Sequence, residues 1–285
     1  MSPGVVTLSA LAVWLWGRPS GFVGSAWSRI AGHLGSALGY PGPMRVAALV
    51  LGAGRGERLG EALPKAFVAL CGKSLLVRAL AAVAAAPEID ITMPIVGRSD
   101  LTRLKALEPD LASIPGLLPP VAGGAERQDS MMAGLAALPP DVGFVAVHDA
   151  ARPLVATEAV SRVVDAARRS GAAILAIPVR DTIKRVCEGL IVETPNRLEC
   201  YAAQTPQVFR IEVLREALEK AAAEAFIGTD DAEIVERIGV PVTVVPGDPS
   251  NIKITDRADL IAAERWLRDQ RENDTYSAAE DEERR

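Results

Sequence analysis

The sequence predicts an α/β fold: a mostly parallel twisted sheet with helices on both faces. Three observations predict it. Short apolar runs alternate with longer segments of helical periodicity. The polar, glycine-bearing motifs follow those runs, where open α/β sheets bind their ligands. One polar stretch breaks the alternation and reads as a projecting hairpin.

Taken in order, Val46–Leu51 is a first strand, a wholly apolar run of the kind a buried parallel strand needs. Leu75–Ala86 is an Ala/Leu-rich helix. Ile91–Val96 is a second strand despite Pro94. Asp100–Glu108 and Arg127–Leu138 read as helices, Phe144–Val147 as a short buried strand, and Thr157–Arg169 as a helix leading into strand Ala172–Ile177. Ile211–Glu224 and Asp231–Ile238 are helices, Val242–Val245 a strand, and Asp256–Arg268 a last helix. Around Glu188-Gly189 the runs Asp181–Glu188 and Leu190–Glu193 form a hairpin carrying Lys184 and Arg185. A lone hairpin has too little surface of its own to be stable. It is expected to pack on a second subunit.

With 285 residues the chain has enough length for a substantial core. The formal net charge is −5, and the cations are dispersed, which argues against a nucleic-acid partner. Cys71, Cys187 and Cys200 lack metal-type spacing, and two histidines are too few for a histidine metal site. Residues 1–43 hold three of the four tryptophans, and no acidic residue precedes Glu57. Val5 to Trp16 is too short to span a membrane and lacks the basic start of a secretory signal. The segment is expected to be a poorly ordered or non-native extension before a domain beginning at Met44. A transit peptide to a plastid is the second reading, and a cytoplasmic location the first. The domain is expected over residues 44–270, with the hairpin arm at about 178–203. Residues 271–285 read as a frayed, charged tail.

The chemistry begins in VAALVLGAGRGERLGEALPK, where an apolar run stops in a glycine-rich basic loop. Such a loop delivers backbone amides to a phosphate. Two familiar phosphate loops fail on spacing. The dinucleotide fingerprint needs G-x-G-x-x-G. After Gly52 and Gly54 the third position is Glu57, and after Gly54 and Gly56 it is Leu59. Gly72-Lys73-Ser74 ends like a Walker loop, but Phe67 stands where the first glycine is required, so that fragment reads as a turn before a helix. What survives is G-x-G-x-x-R, with Arg58, followed by Pro64-Lys65.

Further polar motifs follow later runs: GGAERQDS with Gly124, Arg127 and Ser130, then HDAARP with Asp149 and Arg152, then PVRDTIK, QTPQVF and SNIKIT. Each has a bland reading alone. Gly123-Gly124 is a turn, Asp149 a cap, Arg152 and Lys253 solvated surface, and Asp230-Asp231 a helix N-cap. Together, convergent cations with one carboxylate suit a nucleoside triphosphate, a divalent metal and a second anionic substrate.

The ordered set LGAGRGERLGEALPKAF, GGAERQDSMMAGL, VHDAARP, PVRDTIK, QTPQVF and TDDAEIVERIG…NIKIT resembles the 2-C-methyl-D-erythritol 4-phosphate cytidylyltransferases over Val46 to about Leu267. The resemblance implies a Rossmann-like nucleotidyltransferase fold and a homodimer with interlocked hairpin arms. It implies CMP transfer from CTP to 2-C-methyl-D-erythritol 4-phosphate in non-mevalonate isoprenoid synthesis, with Mg²⁺ and without nucleic acid or membrane. Arg58, Lys65, Arg197 and Lys253 would be the catalytic cations. Gly52, Ala53, Gly54, Gly56, Gly124, Arg127, Ser130, Asp149 and Ala150 would bind the nucleotide. Arg152, Thr182 and Thr205 would contact the acceptor, Arg197 from the partner subunit. Asp149 would help the metal, which the phosphates mainly hold.

Gly52, Ala66 and Ser74 depart from the usual family pattern, none at a charged position. With no Asp-x-His motif before its charged end, the chain is expected to be the single-function form. A cytidylyltransferase for another polyol phosphate, such as ribitol 5-phosphate, would share most of these motifs. A nicotinamide oxidoreductase is disfavoured by the missing third glycine. A non-catalytic nucleotide-binding regulator is disfavoured by the four retained cations.

Overall fold

The computed structural model describes residues 44–54 and 63–283. Gly56, Arg58 and the extension at 1–43 lie outside the described residues. The strands in chain order are β1 (Arg45–Gly52), β2 (Ala69–Leu70), β3 (Lys73–Ser74), β4 (Ile91–Val96), β5 (Val121–Ala122), β6 (Val142–Asp149), β7 (Ala172–Pro178), β8 (Arg185–Cys187), β9 (Leu190–Glu193), β10 (Tyr201–Arg210) and β11 (Thr243–Pro246). The helices are α1 (Leu75–Ala84), α2 (Glu108–Leu111), α3 (Arg127–Ala137), α4 (Thr157–Ser170), α5 (Ile211–Ala223), α6 (Asp231–Glu236) and α7 (Arg257–Glu283).

Seven strands form the main sheet in the order β11-β7-β10-β6-β1-β4-β5. Every neighbouring pair is parallel except the two that β10 makes, with β6 and β7. The chain moves outward from β1 through β4 and β5, then returns to lay β6 on the other side of β1. The order therefore reverses between β1 and β6, whose ends are in register, with Leu51 opposite Asp149. Such a switch point leaves a crevice beyond the carboxyl ends of the two strands.

Side-chain alternation along the strands builds two core layers. Val46, Ala48 and Val50 of β1 face one way and pack with Leu76, Leu80 and Val83 of α1 and Val160, Val163 and Val164 of α4. Ala47 and Leu49 face the other way, toward Met131 and Leu135 of α3 and Leu214 and Leu218 of α5. A third cluster, around Leu70, Leu75, Leu154 and Ile254, is closed by Leu260 and Ala263 of α7. The Gly72-Lys73-Ser74 fragment is a turn before a helix: Gly72 has φ +81°, and Ser74 caps α1 by accepting from the Val77 amide at 3.2 Å.

Three expectations differ from the fold. Asp100–Glu108 is not a single helix but two 3-10 turns, Arg98–Asp100 and Arg103–Leu107, followed by α2. Asp100 and Leu104 are the buried side chains of those turns, and Pro109 lacks an amide for a continuous helix. Tyr201–Arg210, where the sequence reading finds the QTPQVF motif but assigns no element, is a central strand. Its QTPQ core hides it, because the pairing with β7 shifts between Ala203 and Gln207. The last helix does not stop near Arg268; α7 continues through Glu283, so the segment expected to fray begins as helix.

The hairpin is present as β8 and β9, with Glu188 and Gly189 both at positive φ in its two-residue turn. Val186, Leu190, Ile191 and Val192 are all exposed, Leu190 at 72%. The hairpin therefore buries little apolar surface against its own chain.

Candidate functional site

A cavity of about 330 Å³ opens beyond β1 and β6, at the switch point. Its lining includes Gly52, Ala53, Gly54, Lys65, Gly124, Arg127, Ser130, Asp149, Ala150 and Lys253, which the sequence had placed in one site. Three loops meet there without spare room. A Cβ on Gly123 would lie 2.6 Å from Ser130 Oγ and 2.8 Å from Ala53 Cβ. A Cβ on Gly52 would press on Ala66 at 3.0 Å. Ser130 Oγ accepts from the Gly124 amide and donates to the Glu126 carbonyl, both at 3.2 Å. Lys65 opens a short 3-10 turn directly after Pro64. Near Lys65 lies Asp259 in the first turn of α7. Burial would raise that carboxyl, but donors from Thr255 and Asp256 and the Lys65 charge hold it below its ordinary value.

The electrostatics centre on a row of four charges. Arg127 donates from Nε and Nη2 to the two oxygens of Asp231, at 2.9 and 2.7 Å. Its Nη1 donates to Asp149 Oδ1. Asp149 Oδ2 pairs with Lys253 Nζ at 2.8 Å. Burial alone would lower the Arg127 guanidinium, but Asp231 and Asp149 outweigh it and hold it above its ordinary value. Burial would raise Asp149, yet Arg127 and Lys253 hold it well below the usual carboxylate range. Asp231 is fully buried, and that burial pushes its carboxyl upward against the pull of Arg127.

Sequence reasoning missed Asp231. Its neighbour Asp230 does cap α6, accepting from the Glu233 amide at 2.9 Å, and that explained both acids too easily. The signal was the second acid: one carboxylate suffices for a cap.

Lys253 reaches the cavity from a loop held by β10. Gln204 donates to the Asp248 carbonyl at 2.8 Å, and Asn251 donates to the Thr205 carbonyl at 2.9 Å. The amide of buried Ile254 donates to the Ala151 carbonyl at 2.8 Å. Arg152 does not line the cavity. It ties the same loops together, donating to the carbonyls of Asn251 at 2.7 Å and Ala203 at 3.1 Å. Thr205 is buried behind Asp149, accepting from the Asp149 amide at 3.0 Å. Thr182 and Arg197 sit on the arm, exposed and outside the cavity lining; Arg197 Nη1 donates to the Arg180 carbonyl at 2.9 Å.

The described residues do not build a metal site of their own. No group of three His, Cys, Asp or Glu side chains is placed to hold an ion among them. Asp149, expected from the resemblance to help a metal, has one oxygen on Arg127 and the other on Lys253. Such a site fits an ion that arrives on phosphate oxygens and not a preformed cage.

His148 is fully buried behind Asp149. Its Nε2 lies 3.0 Å from the Arg152 carbonyl, which can only accept. Its Nδ1 therefore accepts from the Thr205 hydroxyl, 3.0 Å away. Burial holds the ring neutral, lowering its pKa from 6.5 to about 4. Between those values the unfolded chain binds a proton that the folded chain refuses. Stability therefore rises with pH through this window and is lost as pH falls. The expected loss is about 3 kcal/mol on going from pH 7 to pH 4. Urea denaturation at both pH values checks it, with His148→Gln giving the flatter dependence. An equal slope in the variant would assign the effect to another group.

The family model for IspD, described as 2-C-methyl-D-erythritol 4-phosphate cytidylyltransferase, matches residues 46–269. The chain belongs to this family. A relative of that name from Syntrophus aciditrophicus (strain SB) is 43% identical over 228 residues, covering 79% of this chain and 96% of the relative. A crystal structure titled 4-diphosphocytidyl-2C-methyl-D-erythritol synthase, from Anaerococcus prevotii DSM 20548, superposes with a TM-score of 0.71 at 30% identity, covering 79% of this chain and 96% of that one. The 2-C-methyl-D-erythritol 4-phosphate cytidylyltransferase structure from Thermus thermophilus gives 0.63 at 34% identity, covering 79% of this chain and all of that one. The central sheet flanked by helices is thus the Rossmann-like nucleotidyltransferase fold of this IspD family. No helix among the described residues is long and apolar enough to cross a membrane.

Proposed function

We propose that this chain transfers CMP from CTP to 2-C-methyl-D-erythritol 4-phosphate, releasing pyrophosphate, as a CTP-dependent nucleotidyltransferase of isoprenoid synthesis. The observation that carries the reading is the cavity at the β1/β6 switch point, lined by Lys65, Arg127, Lys253 and the glycine-bearing ends of two loops. Family membership supplies the substrates. A phosphate oxygen of the acceptor attacks the α-phosphorus of CTP in line. The new P–O bond forms as the bond to the pyrophosphate oxygen breaks, and pyrophosphate carries away the electron pair. Such a transfer needs positioning and charge stabilisation more than covalent help.

In this reading the backbone from Gly52 to Gly54 faces the triphosphate, with Arg58 and Lys65 stabilising charge on the α-phosphate and leaving group. Gly124, Arg127 and Ser130 border the cytosine and ribose, and Lys253 receives the acceptor phosphate. When bound, Mg²⁺ would supply charge neutralisation at the triphosphate, and Asp149 is the carboxylate of the cavity lining that would help to hold it. The arm pairs two copies of the chain, and its exposed apolar residues support that arrangement. A cytoplasmic setting, where CTP is made, suits the activity.

Pyrophosphate release tests this reading. Methylerythritol phosphate with CTP is expected to give turnover, and ATP, GTP and UTP little. The relatives' shared name favours this acceptor over ribitol 5-phosphate. Faster turnover with the latter would overturn the acceptor assignment and keep the reaction class.

A further inference from the structure

We propose that Asp231 is a positioning residue for the transfer reaction, acting through Arg127 and Asp149 to hold Lys253 in place. The inference rests on the proposed reaction for its kinetic arm alone. Asp231 does not line the cavity and has no exposed surface. Yet it receives the bidentate edge of the Arg127 guanidinium, the geometry in which an arginine is held most firmly. With Nε and Nη2 fixed there, Nη1 is left to meet Asp149. Asp149 then offers its second oxygen to Lys253. Four charges thus run from the buried start of α6 to the cavity, alternating in sign.

The alternation gives the carboxylate at position 231 a role. Arg127 satisfied by Asp231 shares Asp149 with Lys253. Arg127 without Asp231 has Asp149 as its remaining anionic partner, takes a larger part of it, and loosens Lys253. The start of α6 is built to keep Asp231 still. Gln207 accepts from the Ala232 amide and donates to Asp230, both at 2.9 Å. Gln128, beside Arg127 on α3, donates to the Phe226 carbonyl at 3.1 Å and accepts from the Gly228 amide at 3.1 Å. The segment from Phe226 to Ala232 is thereby bolted to the nucleotide-side helix and to β10, the strand that also holds the Lys253 loop.

A double-mutant cycle tests the coupling. Asp231→Asn is expected to lower kcat, measured at saturating CTP, about 30-fold. In a Lys253→Met background the same substitution is expected to cost less than about threefold, because the group it acts through is gone. A purely structural aspartate would cost the same in both backgrounds, and that result would overturn the proposal, as would wild-type kcat in Asp231→Asn. Should the asparagine variant fail to fold, Asp231→Glu keeps the charge and moves the carboxylate, and the same cycle applies. Reductive methylation of the ligand-free enzyme, read at Lys253 by mass spectrometry, tests the coupling without any substrate. Lys253 is expected to react about fivefold faster in the position-231 variant. Equal rates would overturn the proposal even if the enzyme's reaction were other than the one proposed. Faster labelling without methylerythritol-dependent turnover in the wild type would instead retire the reaction and keep the coupling.

Discussion

Replacing Lys65 by alanine is expected to lower turnover about a thousandfold and to leave the fold intact, a barrier increase of about 4 kcal/mol. The magnitude follows from what a fixed cation does in phosphoryl transfer. Negative charge shifts onto the leaving pyrophosphate as the bond breaks, and a lysine held at the cavity stabilises that charge more than it stabilises the ground state. Lys65 is held in this way: it begins a 3-10 turn behind Pro64, and the Phe67 amide closes that turn onto the Pro64 carbonyl at 2.8 Å. Its neighbour Ala66 is buried, so the turn keeps its packing when the lysine side chain is removed. Lys65→Arg would keep the charge and lose the geometry, because a planar fork does not replace an ammonium, and an intermediate rate is expected. The measurement is steady-state pyrophosphate release at saturating CTP, with thermal melting as the control for folding. Turnover within tenfold of wild type, in a protein that melts normally, would remove Lys65 from the chemistry.

Much of this site was legible because its residues sit in local motifs. The loop after β1, the paired glycines before α3, and the acid that ends β6 each follow an apolar run, and strand ends can be read from such runs. What was not legible depends on pairing at long range. β10 has Gln, Thr and Pro at its centre, and only its neighbours β6 and β7 show it to be a strand. Asp231 lies 104 positions beyond Arg127, and a helix-cap pattern gave it a sufficient local reason to exist. Arg152 and Thr205 were read as acceptor contacts from the family pattern. Their visible work is internal, one tying carbonyls of two loops and the other supporting the Asp149 amide. A sequence names polar residues near a site but does not say which of them have already used their hydrogen bonds on the protein.

Mixing two inactive variants is expected to restore activity if the arm completes a neighbouring site. Arg197 sits beyond the cavity lining of its own chain, on the 3-10 turn Arg197–Glu199 that follows the hairpin. Its proposed contact with the acceptor therefore calls for a second subunit, and the exposed Val186, Leu190, Ile191 and Val192 provide the surface for one. Suppose each site takes Lys65 from one chain and Arg197 from the other. A dimer of a Lys65→Ala chain with an Arg197→Ala chain then holds one doubly damaged site and one intact site. Random exchange at equal concentrations makes half the dimers mixed, so about a quarter of all sites, and of wild-type activity, should return. If Arg197 served its own chain, every site in the mixture would lack one cation and the activity would equal the average of the two parents. Native mass spectrometry of the mixture counts the heterodimers, so absence of recovery with heterodimers present would place Arg197 in cis or outside the mechanism. A variant with Leu190 and Ile191 both changed to Asp should block recovery by keeping the chains apart, because charge introduced into an apolar interface carries a desolvation cost that the partner does not repay.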